Sequence, residues 1–132
     1  MRRLKRQDWI DLAIIIAAGL GFWLFRQFTI EPRIFGSLCT SAQPPFVCAP
    51  RQAVLWAQYR QLFGLLSLLS GLIGWALGLR PLAVAALAIG AAAVIDYNGT
   101  EGMIGIALGL WAWLGLRTGR YDLPISGARH AE

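Results

Sequence analysis

Charge is scarce in this 132-residue chain: Asp, Glu, Lys and Arg together make up 14%. An ordinary soluble domain carries about a quarter charged residues, so a soluble domain of normal surface is excluded. Histidine occurs once, as His130. A single histidine excludes a histidine metal cluster and a histidine relay across a membrane, and its place in the polar tail leaves no Ser-His-Asp arrangement expected. No glycine-rich loop has P-loop or dinucleotide-binding spacing. Cysteine occurs only as Cys39 and Cys48. A membrane thiol oxidase needs a C-x-x-C and a second pair to relay electrons, and a lone C-x8-C offers neither. No catalytic residue, metal or cofactor is therefore expected, and the chain does not read as an enzyme.

The formal charge is +5, but the basic residues lie at the chain ends and in loops. Membrane topology distributes Lys and Arg in that way, whereas a nucleic-acid surface gathers them into a patch, so no nucleic-acid partner is expected.

What the chain has is apolar sequence, 57% of its residues. It falls in four stretches, about 9–28, 59–79, 81–97 and 102–117. A helical crossing takes roughly 20 residues, and the two shorter stretches are joined tightly enough to form a hairpin. The expected fold is all-α: an integral membrane four-helix bundle, one domain over 1–132, with the lipid bilayer as its surroundings. The basic start through Arg6 followed by an apolar run suggests a signal peptide. That reading fails because the run continues past Ala17 and Ala18 into Phe22, Trp23 and Phe25, bulky where cleavage needs small residues.

With four spans, Arg2, Arg3, Lys5, Arg6, Arg80, Arg117, Arg120 and Arg129 fall on one side and Arg26, Arg33, Arg51 and Arg60 on the other. Basic residues near spans are retained in the cytoplasm, so both termini are expected inside, in a bacterial inner membrane. The outer loop 29–53 then faces an oxidising compartment, where Cys39 and Cys48 are expected to form a structural disulfide between helices 1 and 2. Pro44 and Pro45 stiffen the same loop. The tail 118–132 is polar and lacks helical periodicity.

Inside the membrane, small residues recur at the spacing that lets helix backbones approach: Gly21 with Ala17, then Ser70, Gly74 and Gly78, then Gly105 and Gly109. The third stretch is richest in alanine and is expected at the centre. Aromatic residues gather near the span ends as an interfacial belt, with Trp111 and Trp113 deeper than a belt requires.

Depth singles out one polar group of residues. Pro81 to Asp96 rises about 22 Å, short of a hydrocarbon core about 30 Å thick. Asp96 and Glu101 therefore come out at or below the outer interface, and Arg26 and Arg60 reach similar height. Ionisable groups at membrane depth are costly alone, so these four are expected to form an ion-pair layer or a polar site. Asp8 and Asp11 are expected to reach the inner headgroups. The expected role is a non-catalytic accessory or structural subunit with a membrane-protein partner. The alternatives are a small homo-oligomeric transporter or channel using the charged layer, and a membrane enzyme acting on a lipid-linked substrate.

Overall fold

Asp8 opens the first helix: its carboxylate accepts the Lys5 backbone N–H at 2.9 Å, satisfying a donor at the helix start. The computed structural model describes residues 3–97 and 99–121, and no strand occurs among them. Met1, Arg2, Asn98 and residues 122–132 lie outside the described residues, and with them the expectations for Arg2, Arg129 and most of the tail 118–132.

Helix α1 runs Arg6–Phe25 and continues as a π-helical turn, Arg26–Ile30. Two short elements follow, α2 (Ile34–Leu38) and α3 (Cys48–Tyr59). Helices α4 (Leu62–Leu77), α5 (Arg80–Ile95) and α6 (Gly99–Thr118) complete the chain. Gly78 ends α4 at φ +66°, a left-handed position that glycine adopts without steric cost. Pro81 sits in the first turn of α5, where its missing N–H would have had no helical partner.

Two helices are long and apolar enough to cross a membrane, Arg6–Ile30 and Gly99–Thr118, and the α3–α4 pair passes as a third only if counted as one span bent by 66°. The bend departs from the continuous stretch expected from residue 59. The chain breaks at Arg60 and Gln61, with Gln61 at φ +55°, and α4 begins at Leu62. The segment 29–53, expected as an outer loop, is also more helical than a loop, since α2 and α3 occupy much of it.

Helices α4, α5 and α6 pack mutually, and α1 lies against α5. Alanine explains the central place of α5. Ala83, Ala86 and Ala93 are fully buried, so neighbouring backbones reach α5 on several sides. At the middle of the bundle, Ser67 donates to the Ala86 carbonyl at 2.9 Å, and Gly105 lies directly against the Ser67 backbone. A Cβ added to Gly71 would stand 2.7 Å from the Gly105 carbonyl oxygen, and one on Gly109 2.9 Å from the Ala86 Cβ. Gly21 differs: it is exposed, and a Cβ there would meet nothing within 4 Å. Gly78 serves the α4 cap and lies under the Tyr121 ring.

Cys39 and Cys48 form a disulfide, with their Cα atoms 5.5 Å apart. It joins the end of α2 to the start of α3. Arg51 Nε donates to the Thr29 carbonyl at 3.1 Å and ties α3 back to the end of α1. Closing a loop of about ten residues stabilises by roughly 2.5–3 kcal/mol in the chain-entropy account. Alkylation followed by mass analysis is expected to modify no thiol before reduction and two after. Reduction is expected to accelerate proteolysis within 31–47 while α4–α6 stay resistant. A free thiol in protein taken from an oxidising compartment contradicts this assignment.

Candidate functional site

Asp8 and Asp11 stand three residues apart, which places them on one face of α1, and that face is turned inward. They are 3% and 4% exposed, in place of the headgroup contact expected from sequence. Arg80, at the start of α5, binds both: Nη2 lies 2.8 Å from Asp8 Oδ1, and Nε donates to Asp11 Oδ2 at 2.8 Å. From α6, the Trp113 indole N–H donates to the same Asp11 oxygen at 3.0 Å. Arg117 lies 3.3 Å from Asp8 Oδ2, with its guanidinium 5.1 Å from the centre of the Trp113 ring. One network thus joins α1, α5 and α6 at the end that carries Arg3 and Lys5.

This network accounts for the depth of Trp113 but not of Trp111, which is exposed and lies outside it. Trp113 is buried as a hydrogen-bond donor, and Trp111 packs edge-on against Trp75 with ring centres 6.2 Å apart. Tyr121 closes the same end by donating to the Trp75 carbonyl at 2.6 Å.

At the opposite end, Arg26 begins the π-helical turn and reaches across to α5. Its Nη1 donates to the Ile95 carbonyl, its Nε and Nη2 bind Glu31 Oε1 at 2.9 and 2.8 Å, and its guanidinium lies 4.2 Å from the centre of the Tyr97 ring. Tyr97 holds φ +62°, a conformation uncommon for an aromatic residue, with its ring against Arg26. Asp96 lies beside this cluster, 1% exposed, and neither carboxylate oxygen has a hydrogen-bond partner among the described residues.

The four residues expected in one outer layer are therefore only partly brought together. Arg26 and Asp96 are neighbours through Ile95, but the acid that pairs with Arg26 is Glu31. Arg60 is exposed, and its guanidinium lies 5.9 Å from the centre of the Trp56 ring on its own helix. The break at Gln61 leaves Arg60 at the end of α3, and no ion pair joins it to Asp96 or Glu101 among the described residues. Glu101 is half-buried in the first turn of α6, where a carboxylate complements the positive end of the helix dipole.

The Asp8–Asp11–Arg80–Arg117 network was legible in principle. Asp8 and Asp11 share a face by spacing, and Arg80 and Arg117 stand at the same membrane boundary in the expected topology. The depth argument applied to the outer residues brings these four together equally well.

No protein-family model, curated protein or solved structure matches this chain.

Proposed function

We propose that the chain is a non-catalytic integral membrane subunit. In this reading it crosses the membrane four times with both ends inside and docks onto a larger membrane protein through its outer cap. The observation that carries the reading is the state of that cap. A disulfide and the Arg51–Thr29 tie hold it in place, yet Phe46 is 93% exposed and Ile34 61% exposed. Ordering a segment before it meets its partner lowers the entropic cost of association, and an exposed aromatic is the usual anchor of such a contact. The filled centre at Ser67, Gly71 and Gly105 favours the same role, since backbones in contact hold helices in place without a water-filled path between them.

The test is a photo-crosslinking residue at position 46, followed by extraction in mild detergent and native mass analysis. A single adduct with an unrelated membrane protein is expected, and it should weaken when Cys39 and Cys48 are reduced. Adducts only with further copies of the chain, or none, overturn the subunit reading.

One observation favours a small homo-oligomeric transporter or channel instead: the buried carboxylate of Asp96, which has no hydrogen-bond partner among the described residues. Ionisable groups at membrane depth mark solute and proton paths. In that case Asp96→Asn abolishes flux in vesicles while leaving the oligomer intact.

A further inference from the structure

We propose that the inner end of the α1–α5 seam binds an anionic phospholipid, its phosphate held by the basic residues and one acyl chain lying in the groove beside them. Two spaces have Arg80 as a common lining residue. The first is a polar recess of about 130 Å³ lined by Arg3, Lys5, Asp8, Arg80 and Arg117. The second is an open apolar groove of about 400 Å³ that begins at Asp11 and Arg80 and continues along Ile14, Val84 and Ala88.

Charge selects the headgroup. Four cations and two carboxylates meet around these spaces, leaving an excess of two positive charges. The carboxylates are already engaged: Asp8 with the Lys5 backbone N–H, Arg80 and Arg117, and Asp11 with Arg80 and Trp113. They act as supports that fix Arg80, while Arg3 and Lys5 are exposed and form no ion pair among the described residues. Such a set suits a phosphodiester that carries one negative charge and several acceptor oxygens.

Shape selects a lipid over a free anion. From Gln7 to Ile14 and from Pro81 to Ala88 the groove follows about 10 Å of helix, roughly a third of a hydrocarbon core. The small side chains of Ala85 and Ala88 leave this strip recessed. A phosphate at Arg3 and Lys5 with its chain along Ala88 occupies both spaces at once, which no soluble anion does. The inference rests on the membrane placement proposed above but not on a protein partner.

Native mass analysis of the purified full chain, extracted from vesicles of equal phosphatidylglycerol and phosphatidylcholine, reads the site directly and needs no partner. Phosphatidylglycerol is expected to be retained at least fivefold over phosphatidylcholine. Each basic residue contributes about fivefold near a membrane surface, so Arg3→Gln with Lys5→Gln should lower retention roughly 25-fold. Arg33→Gln, which removes the same kind of charge at the other end, should leave it unchanged. Ala88→Phe should fill the groove and lower lipid retention. Equal retention of the two lipids, or full retention by the Arg3 and Lys5 variant, overturns the proposal. If inorganic phosphate displaces the lipid completely and Ala88→Phe has no effect, the recess is a soluble-anion site and the lipid assignment is wrong.

Discussion

Arg80→Gln is expected to lower the melting temperature in mild detergent by roughly 10 °C. The substitution leaves Asp8 and Asp11, 3% and 4% exposed, without the guanidinium that binds both. Breaking a buried pair from one side costs about 3–5 kcal/mol, because the remaining charge stays buried and uncompensated. The Arg80 side chain is 31% exposed and Arg117 still reaches Asp8, which takes the expectation to the lower end, about 3 kcal/mol. For a chain of this length that corresponds to roughly 10 °C.

The sign of the rescue is the sharper part. Adding Asp8→Asn and Asp11→Asn to Arg80→Gln removes the orphaned charges and should recover part of the loss, so the triple variant should be more stable than the single one. Arg80→Lys keeps the charge but loses the planar fork that serves two carboxylates, and should fall between. If Arg80→Gln melts with the wild type, the Asp8–Asp11–Arg80 network does not hold α1 to α5 and α6. If the triple variant is no better than the single, the loss comes from the arginine's packing and not from its charge.

Arg26 and Arg80 show how far sequence reasoning reached and where it stopped. Rise per residue gives the height of a side chain in a helix, so the sequence alone places Arg26 and Asp96 at one level. Height says nothing of rotation about the helix axis or of a break in the chain. The same height for Arg60 requires one uninterrupted helix from Arg60 to Arg80, but Gln61 turns the backbone at φ +55° and leaves Arg60 beside Trp56. Glutamine gives no local signal for a left-handed position, whereas Gly78 at the other end of α4 does. The π-helical turn at Arg26–Ile30 was equally unmarked, and it shapes the local backbone where Arg26 meets Glu31. The disulfide was legible because two cysteines in one short segment leave a single intramolecular pairing. The central place of α5 was legible because alanine is poorly suited to face lipid and well suited to close helix contact.

Gly105→Ala is expected to destabilise the protein by about 2 kcal/mol, although alanine is the better helix former by about 1 kcal/mol. The added Cβ would overlap the Ser67 hydroxyl and would stand 2.5 Å from the Ser67 carbonyl carbon and 2.7 Å from its oxygen. A hydroxyl can rotate away, but the two backbone atoms cannot move without parting α4 from α6. Ser67→Gly in the same chain should therefore fail to rescue Gly105→Ala, and the Ser67 bond to the Ala86 carbonyl would be lost as well. Gly105→Leu should prevent the two helices from docking at all, seen as loss of the monodisperse folded species in detergent. Gly21→Ala is the control: a Cβ there meets nothing within 4 Å, so only the helix-propensity gain of up to about 1 kcal/mol remains and stability should hold or rise. Both glycines have small neighbours four residues away, so the sequence pattern alone predicts similar behaviour for both, while the geometry predicts opposite signs. If Gly105→Ala matches Gly21→Ala in thermal melts, α4 and α6 are not in backbone contact, and the filled centre that favours a subunit over a channel is lost with it.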